Sequence, residues 1–408
     1  MPKAKTLSPA PPGAFPESFR EQLRETLLRL DRPRALGLLT ELAEAIAQQR
    51  GLVQSMEDGR RELLEKATRA DSFDELGRIE NVLTALETAF FVTSGSVPGL
   101  HRGCTEYRDL LAERTLSLVE AELAPGLGPP PRPYALISMG SDGREEQTLI
   151  TDQDYLIVYG DGGGDAADLY FQGFSECLVE RLAEVGFAKC TGDIMPTNPT
   201  WRGSLAQWKE RLLAIVRYEY EDYAANLMDL IVLSDARFIA GNATIASRLI
   251  ETIRDFEQGN PPVVLGMARH ATEMKVGLGR FGRLWTDRVG EHRGLFNLKL
   301  LGWAPLIMNI RILAVHHGLP ATSTLRRIAQ LEAGRYLHAA SAAELSEAYH
   351  TLTRHRINAQ IRYLRGEQQD SYFIDPVRLS PDEHEALHRA LVGIADLQKL
   401  IRTNFHTT

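Results

Sequence analysis

Five carboxylates crowd into one short stretch, GSDGREEQTLITDQD, running from Gly140 to Asp154: Asp142, Glu145, Glu146, Asp152 and Asp154, with Arg144 as the one cation. Asp152 and Asp154 stand two apart, so in extended backbone both side chains point to the same side. Two ionised carboxylates placed so close repel each other, a cost that a divalent cation between them offsets. Hard oxygen ligands suit magnesium, which shares its shell with substrate phosphates. The Gly140-Ser141 pair at the start of the stretch suits the other half of such chemistry. Glycine lets backbone amides approach a phosphate closely, and a serine hydroxyl donates to a phosphate oxygen. A phosphate cradle beside a metal-binding acid pair is what nucleotidyl transfer needs, with two magnesium ions neutralising the triphosphate and activating an attacking hydroxyl. A third carboxylate is expected from another strand. Asp229, inside LMDLIVL, is the first choice; Asp193, in CTGDIMP, reads more as a turn residue. Alone, an Asp-x-Asp is most often a solvated loop and a Gly-Ser most often a turn. Their order is what makes the pattern specific: strand, Gly-Ser, Asp-x-Asp, strand.

The elements that must hold these residues are legible around them. Tyr134–Met139 and Tyr155–Tyr159 are short apolar runs rich in strand formers, and Leu227–Leu233 reads as a third strand. Residues 169–185 read as a helix. Upstream, Phe19, Leu23 and Leu27, then Leu38, Leu39, Leu42 and Ile46, recur at helical spacing, and Ser72 with Glu75 has the form of a capping box. The run PGLGPPPRP, residues 125–133, should stop both helix and strand and mark a boundary. From Pro261 the pattern is helical again, ending in a helix that Ser380-Pro381-Asp382-Glu383 opens. The expected division is a loose tail at 1–18, a helical region at 19–124, a small mixed-sheet domain at 134–245 and a helical bundle at 262–408. The fold class is therefore α+β and mostly helical.

With 408 residues the chain is too long for one small core, and 44% apolar with 25% charged residues is ordinary for a globular protein. A net charge of -8 argues against broad nucleic-acid binding. Cys104, Cys177 and Cys190 are far apart and odd in number, which suggests neither a disulfide framework nor a zinc knuckle. No run reaches the roughly 18 apolar residues that a bilayer span requires, and the N-terminal residues lack the apolar core of a signal peptide. A cytoplasmic location is the expectation.

Several other residues have two readings. Arg144 either clamps a phosphate bidentately or pairs with Glu145 or Glu146. Trp201 either stacks on a base or packs in the core, the latter being the commoner use, and Arg202 could contact a base. Lys299 and Arg311, on the first long helix of the bundle, and Arg326 with Arg327, on a later one, either line the acceptor side of a cleft or face solvent.

GSDGREEQTLITDQDYLIVY resembles the signature of the DNA polymerase beta-like nucleotidyltransferase superfamily. Its Gly-Ser-x-Gly-Arg and Thr-Asp-x-Asp pieces are similar to those of nucleotidyltransferases allied to the uridylyltransferase that modifies the nitrogen-signalling PII protein (GlnD-like). MPTNPTWRGSLAQW, residues 195–208, resembles that family's Asn-Pro-x-Trp-Arg segment. FNLKLLGWAPLIMNIRILAV and STLRRIAQL resemble its substrate-binding helical domain, so that residues from about 70 to 408 are covered. The resemblance implies that Gly140 and Ser141 contact nucleotide phosphates, with Arg144 and Glu145 at the family's Arg-x-Glu or Arg-Glu position. It implies that Asp152, Asp154 and Asp229 hold metal, and that the acceptor is a protein side chain. The family's Asp-Leu-Arg is Asp229-Leu230-Ile231 here, which removes one cation.

Together these readings predict a magnesium-dependent transferase that moves a nucleoside monophosphate from a triphosphate such as ATP or UTP to an acceptor hydroxyl, in a signalling role. Asp152, Asp154 and Asp229 are its expected catalytic residues, Asp229 being the candidate that helps deprotonate the acceptor, and Trp201, Arg202 and Lys299 lie on the acceptor side. The rival expectation is a nucleotide-binding regulator that keeps the fold without turnover. No membrane or nucleic-acid partner is expected, and the sequence does not specify an oligomeric state.

Overall fold

The computed structural model describes residues 17–29, 31–216, 223–279 and 282–406. The expected tail lies outside them, apart from Glu17 and Ser18, which open the first helix. The chain forms two compact units, Met1–Asp58 and Gly59–Thr408. The first holds α1 (Glu17–Leu28) and the start of α2 (Arg32–Arg69). The apolar stripe there is half-buried at Leu23, Leu27, Leu38, Leu42 and Ile46, while Leu39 points outward.

In the second unit, α3 (Phe73–Ser94) starts at Ser72, whose hydroxyl accepts from the amide of Glu75. Its buried face includes Leu76, Ile79, Leu83 and Phe90, with Leu86, at the same helical spacing, half-buried. α4 (Val97–Leu127) runs past Pro125, so the proline-rich stretch does not end the helix where expected. A proline in a last turn removes a single backbone bond, and the break comes instead at Gly128, in positive φ.

A mixed four-stranded sheet follows. β1 (Tyr134–Ser138) leads into a single helical turn, α5 (Gly140–Gly143). β2 (Asp152–Gln153) and β3 (Tyr155–Tyr159) come next, then α6 (Gly164–Val185), β4 (Ala188–Lys189), β5 (Arg202–Ser204) and α7 (Leu205–Val216). The sequence run 227–233 is not a strand: it is part of α8 (Tyr223–Leu233). Short, wholly apolar runs do not separate strand from helix by pattern. Here Leu227, Leu230 and Ile231 are buried and Met228 is exposed, which is helical spacing. The strand that does close the sheet is β6 (Arg237–Gly241), and the order is β5-β3-β1-β6. β1 is antiparallel to both β3 and β6, and β3 is parallel to β5. The short β2 pairs parallel with β4.

α9 (Ala243–Gly259) covers the sheet, and α10 (Pro261–Glu273) begins the C-terminal helices. β7 (Phe296–Asn297) and a π-helical turn, Lys299–Trp303, precede α11 (Ala304–His316) and α12 (Thr324–Ala333). α13 (Ala339–Leu364), β8 (Phe373–Ile374) and α14 (Pro381–Phe405) complete the chain. The last helix has a full capping box between Ser380 and Glu383. The architecture is α+β and mostly helical, with one small mixed sheet.

The sheet region and the C-terminal helices are joined by buried charge. Asp235, in the turn between α8 and β6, is wholly buried and accepts from three arginines: Arg144 at 2.6 Å, Arg327 at 2.9 Å and Arg311. Burial alone would raise its pKa, but Arg311, Arg144 and Arg327 hold it down to about 2. Arg144 also donates to Glu146 at 2.8 Å, and the other oxygen of Glu146 accepts the first backbone amide of α12, that of Thr324. Removing one member of such a network leaves charges buried without partners. Asp235→Ala is therefore expected to destabilise the protein by about 3–5 kcal/mol in urea unfolding at pH 7. The wild-type contribution of Asp235 should be complete above its unfolded pKa, about 3.9, and be lost as pH falls through about 2.

Candidate active site

The register of the sheet brings the glycine-serine turn to the acid pair. Ser138 of β1 faces Tyr155 of β3, so the next residues outward, Met139 and Asp154, are also opposed, and the Met139 amide donates to the Asp154 carbonyl at 2.8 Å. Gly140 therefore lies against the side chain of Asp154. Its φ is +58°, and a Cβ there would stand 2.2 Å from Asp154 Oδ2. Only glycine fits both constraints. Gly143 is fixed in a different way: a Cβ would meet the Asp235 carbonyl oxygen at 2.1 Å, so α5 sits directly on the turn that carries the buried aspartate.

Asp152 and Asp154 converge as their spacing predicts. A carboxylate oxygen from each and the sulfur of Cys190 lie within 4.8 Å of one another. Burial first, and then repulsion from Asp152, push the Asp154 pKa up to about 7. The Cys190 thiol is pushed up to about 12 by burial and by the charge of Asp154, so it is a neutral donor to that carboxylate. A neutral thiol is a poor partner for a hard cation. The two carboxylates fit magnesium, with the rest of the shell left to water and phosphate oxygens.

The segment leading to Asp152 has little regular structure and is pinned from both sides. From α4, His101 Nδ1 bonds the Gln147 carbonyl at 2.8 Å, and Arg108 donates to the carbonyls of Thr148 and Leu149. From α13, Tyr349 bonds His101 Nε2 at 3.0 Å and Gln360 donates to the Ile150 carbonyl. Beneath α5, Arg237 of β6 holds Asp142 at 2.6 Å and grips Asp109 of α4 with both terminal nitrogens, at 2.7 and 2.8 Å. Burial raises the Asp142 pKa to about 6. The acid pair thus stands on a hydrogen-bonded floor made by the sheet, α4 and α13.

The other expected residues separate. Asp229 is on α8, not on a strand, and it lines a different cavity with Trp201, Trp208, Arg211 and Asn226. Among the described residues it is not one of the groups clustered with the acid pair. Arg144 takes the pairing alternative: it is buried, bound to Glu146 and Asp235, and stacked on Trp303 at 5.3 Å. Glu145, in left-handed backbone, pairs with Arg326 at the surface. Trp201 is buried against Trp208 with ring centroids 6.4 Å apart, the core-packing alternative. Arg202 donates to the carbonyls of Pro196 and Thr197, bracing its own loop. Asp193 is a turn residue with φ +57°. Arg311 and Arg327 belong to the buried network, not to a cleft wall. Lys299 lies in the π-helical turn ahead of α11, its Nζ 4.6 Å from the Tyr372 ring centre. Sequence reasoning missed Cys190, Asp235 and Arg237, whose partners are distant in the chain.

Residues 81–222 match the family described as "Putative nucleotidyltransferase DUF294", and residues 261–405 match "Putative nucleotidyltransferase substrate binding domain". These two stretches are therefore similar to the two parts of a family described as putative nucleotidyltransferases. The first match holds the glycine-serine turn and the acid pair; the second holds α10 to α14. No curated protein matches the chain. Among the described residues, no helix is long and apolar enough to cross a membrane.

Because Gly140 combines positive φ with the closest approach to Asp154, Gly140→Ala is expected to destabilise by at least about 1–3 kcal/mol in denaturant unfolding. It should also push the Asp154 carboxylate away from Asp152, which a weakened affinity for Mn2+ would report.

Proposed function

We propose that the protein transfers a nucleoside monophosphate from a nucleoside triphosphate to an acceptor hydroxyl, releasing pyrophosphate. The observation that carries this reading is the meeting of Gly140 with Asp154, which sets the glycine-serine turn directly beside two convergent carboxylates. Asp152 and Asp154 would hold magnesium, which when bound offsets the charge of the triphosphate and makes the acceptor hydroxyl more acidic. The backbone of Gly140-Ser141 and the serine hydroxyl orient the phosphate tail. The floor formed by α4 and α13 keeps the pair from relaxing apart under its own repulsion, so little reorganisation is left for the reaction. The acceptor oxygen bonds to the α-phosphorus, the bond from that phosphorus to the α,β-bridging oxygen breaks, pyrophosphate carries away the electron pair, and the hydroxyl proton leaves to water.

The likeness to PII-modifying enzymes supports a protein side chain as acceptor, a signalling role and a cytoplasmic setting. One observation favours the rival, a nucleotide-binding regulator without turnover: among the described residues, the third group at the pair is the Cys190 thiol and not a carboxylate.

In a thermal-shift experiment with each of the four nucleoside triphosphates, at least one is expected to raise the midpoint only when magnesium is present. Asp152→Asn combined with Asp154→Asn should abolish that shift. The same double variant should be no less stable than wild type in metal-free buffer, because it removes a repulsive pair. A magnesium-dependent shift that survives the double substitution would sink the proposal.

A further inference from the structure

A second charged feature stands beside the acid pair, and the network around Asp235 does not absorb it. Arg356, on α13, is buried, yet its Nε and Nη1 have no hydrogen-bond partner. Its guanidinium lies 4.4 Å from the ring centre of Trp303 and 5.8 Å from that of Tyr372. Trp303 is itself buried with its indole Nε1 unpartnered. It closes the π-helical turn 299–303, a distortion that often accompanies function. One turn further along α13, Gln360 reaches the Ile150 carbonyl, so the helix presents this face to the segment that ends at Asp152. Asp152 and Arg144 are among the charges that act on Arg356.

The local charge is unbalanced. Arg144 and Arg356 both approach the same indole; of the carboxylates that hold Arg144, Asp235 is already shared with Arg311 and Arg327, and Glu146 also accepts the Thr324 amide. A buried guanidinium without an acceptor is costly, and that cost disappears when an anion is bound. Planar guanidinium nitrogens match the oxygens of a phosphate, and an indole N–H adds a donor of fixed direction.

We propose that Arg356 and Trp303 form an anion subsite beside the Asp152–Asp154 pair, which takes a phosphate group of the bound triphosphate. The assignment to a triphosphate rests on the reading of the pair as a transfer site. The subsite would let the C-terminal helices complete nucleotide binding: the sheet supplies the metal-binding acids, and α13 supplies the cation. Lys299, which shares Tyr372 with Arg356, continues the positive charge toward solvent.

Inorganic tripolyphosphate is the probe, because it has the charge of a nucleotide tail without a base. Its binding to the full chain is measured calorimetrically, with and without magnesium, for wild type, Arg356→Met, Arg356→Lys and the double Asp152→Asn, Asp154→Asn variant. Arg356→Met is expected to weaken binding at least tenfold under both conditions. Its thermal midpoint in ligand-free buffer should be unchanged or higher, since an unpaired buried charge has gone; a purely structural arginine would lower it. Arg356→Lys should recover part of the affinity, and it decides on the same criterion if the methionine variant does not fold. Equal affinity of wild type and Arg356→Met overturns the subsite, as does a wild type that does not bind tripolyphosphate. Arg356-dependent binding that ignores both magnesium and the double aspartate substitution keeps the subsite and removes the transfer reading.

Discussion

The structure depends on a single buried anion. Asp235 has no access to water and accepts from guanidiniums on a loop of the sheet region and on two helices of the C-terminal part. Its desolvation is tolerable only because all three arginines arrive together, and theirs only because Asp235 and Glu146 receive them. Such a cluster fixes relative position more strictly than apolar packing does, since a displaced charge has no alternative partner. The turn that carries Asp235 also touches Gly143, so the same residue that locks the C-terminal helices to the sheet seats the short helix beginning at Gly140.

From that anchor the candidate site follows by geometry. The antiparallel register of β1 and β3 places Gly140 against Asp154, and the parallel pairing of β2 with β4 brings Cys190, one residue past β4, within reach of both aspartates. The site lies at the ends of strands whose middles are deeply buried, and its approach segment is pinned by side chains of α4 and α13 acting on backbone carbonyls. Within that frame, burial and repulsion from Asp152 push the Asp154 carboxyl pKa up to about 7.

Much of this was legible in the sequence, and what was not has a common cause. β1 and β3 announce themselves as short runs of strand formers, and the Gly-Ser and Asp-x-Asp spacing between them points correctly to one turn and one acid pair. The capping signals at Ser72 and Ser380 mark true helix starts because caps are local chemistry. Leu227–Leu233 was misread because an unbroken apolar run carries no period, and Asp229 was moved off the site with it. The Asp235 network has no local signal at all: its arginines lie 91, 76 and 92 residues away along the chain. Arg144 shows the consequence, for a cation inside the glycine-serine motif turns out to serve the scaffold. Arg356, in an ordinary amphipathic helix, gives no sequence hint that its Nε and Nη1 lack acceptors.

The central claim is that Asp152, Asp154 and the Gly140-Ser141 turn together bind a metal-triphosphate complex. A crystal structure grown with Mn2+ and an α,β-methylene nucleoside triphosphate tests it most directly, because the anomalous signal locates the metal independently of any assumption about the acceptor. The account predicts an anomalous peak shared by the carboxylates of Asp152 and Asp154, with phosphate oxygens over the Gly140-Ser141 backbone. Manganese absent from the pair, or a triphosphate bound elsewhere on the molecule, would contradict it.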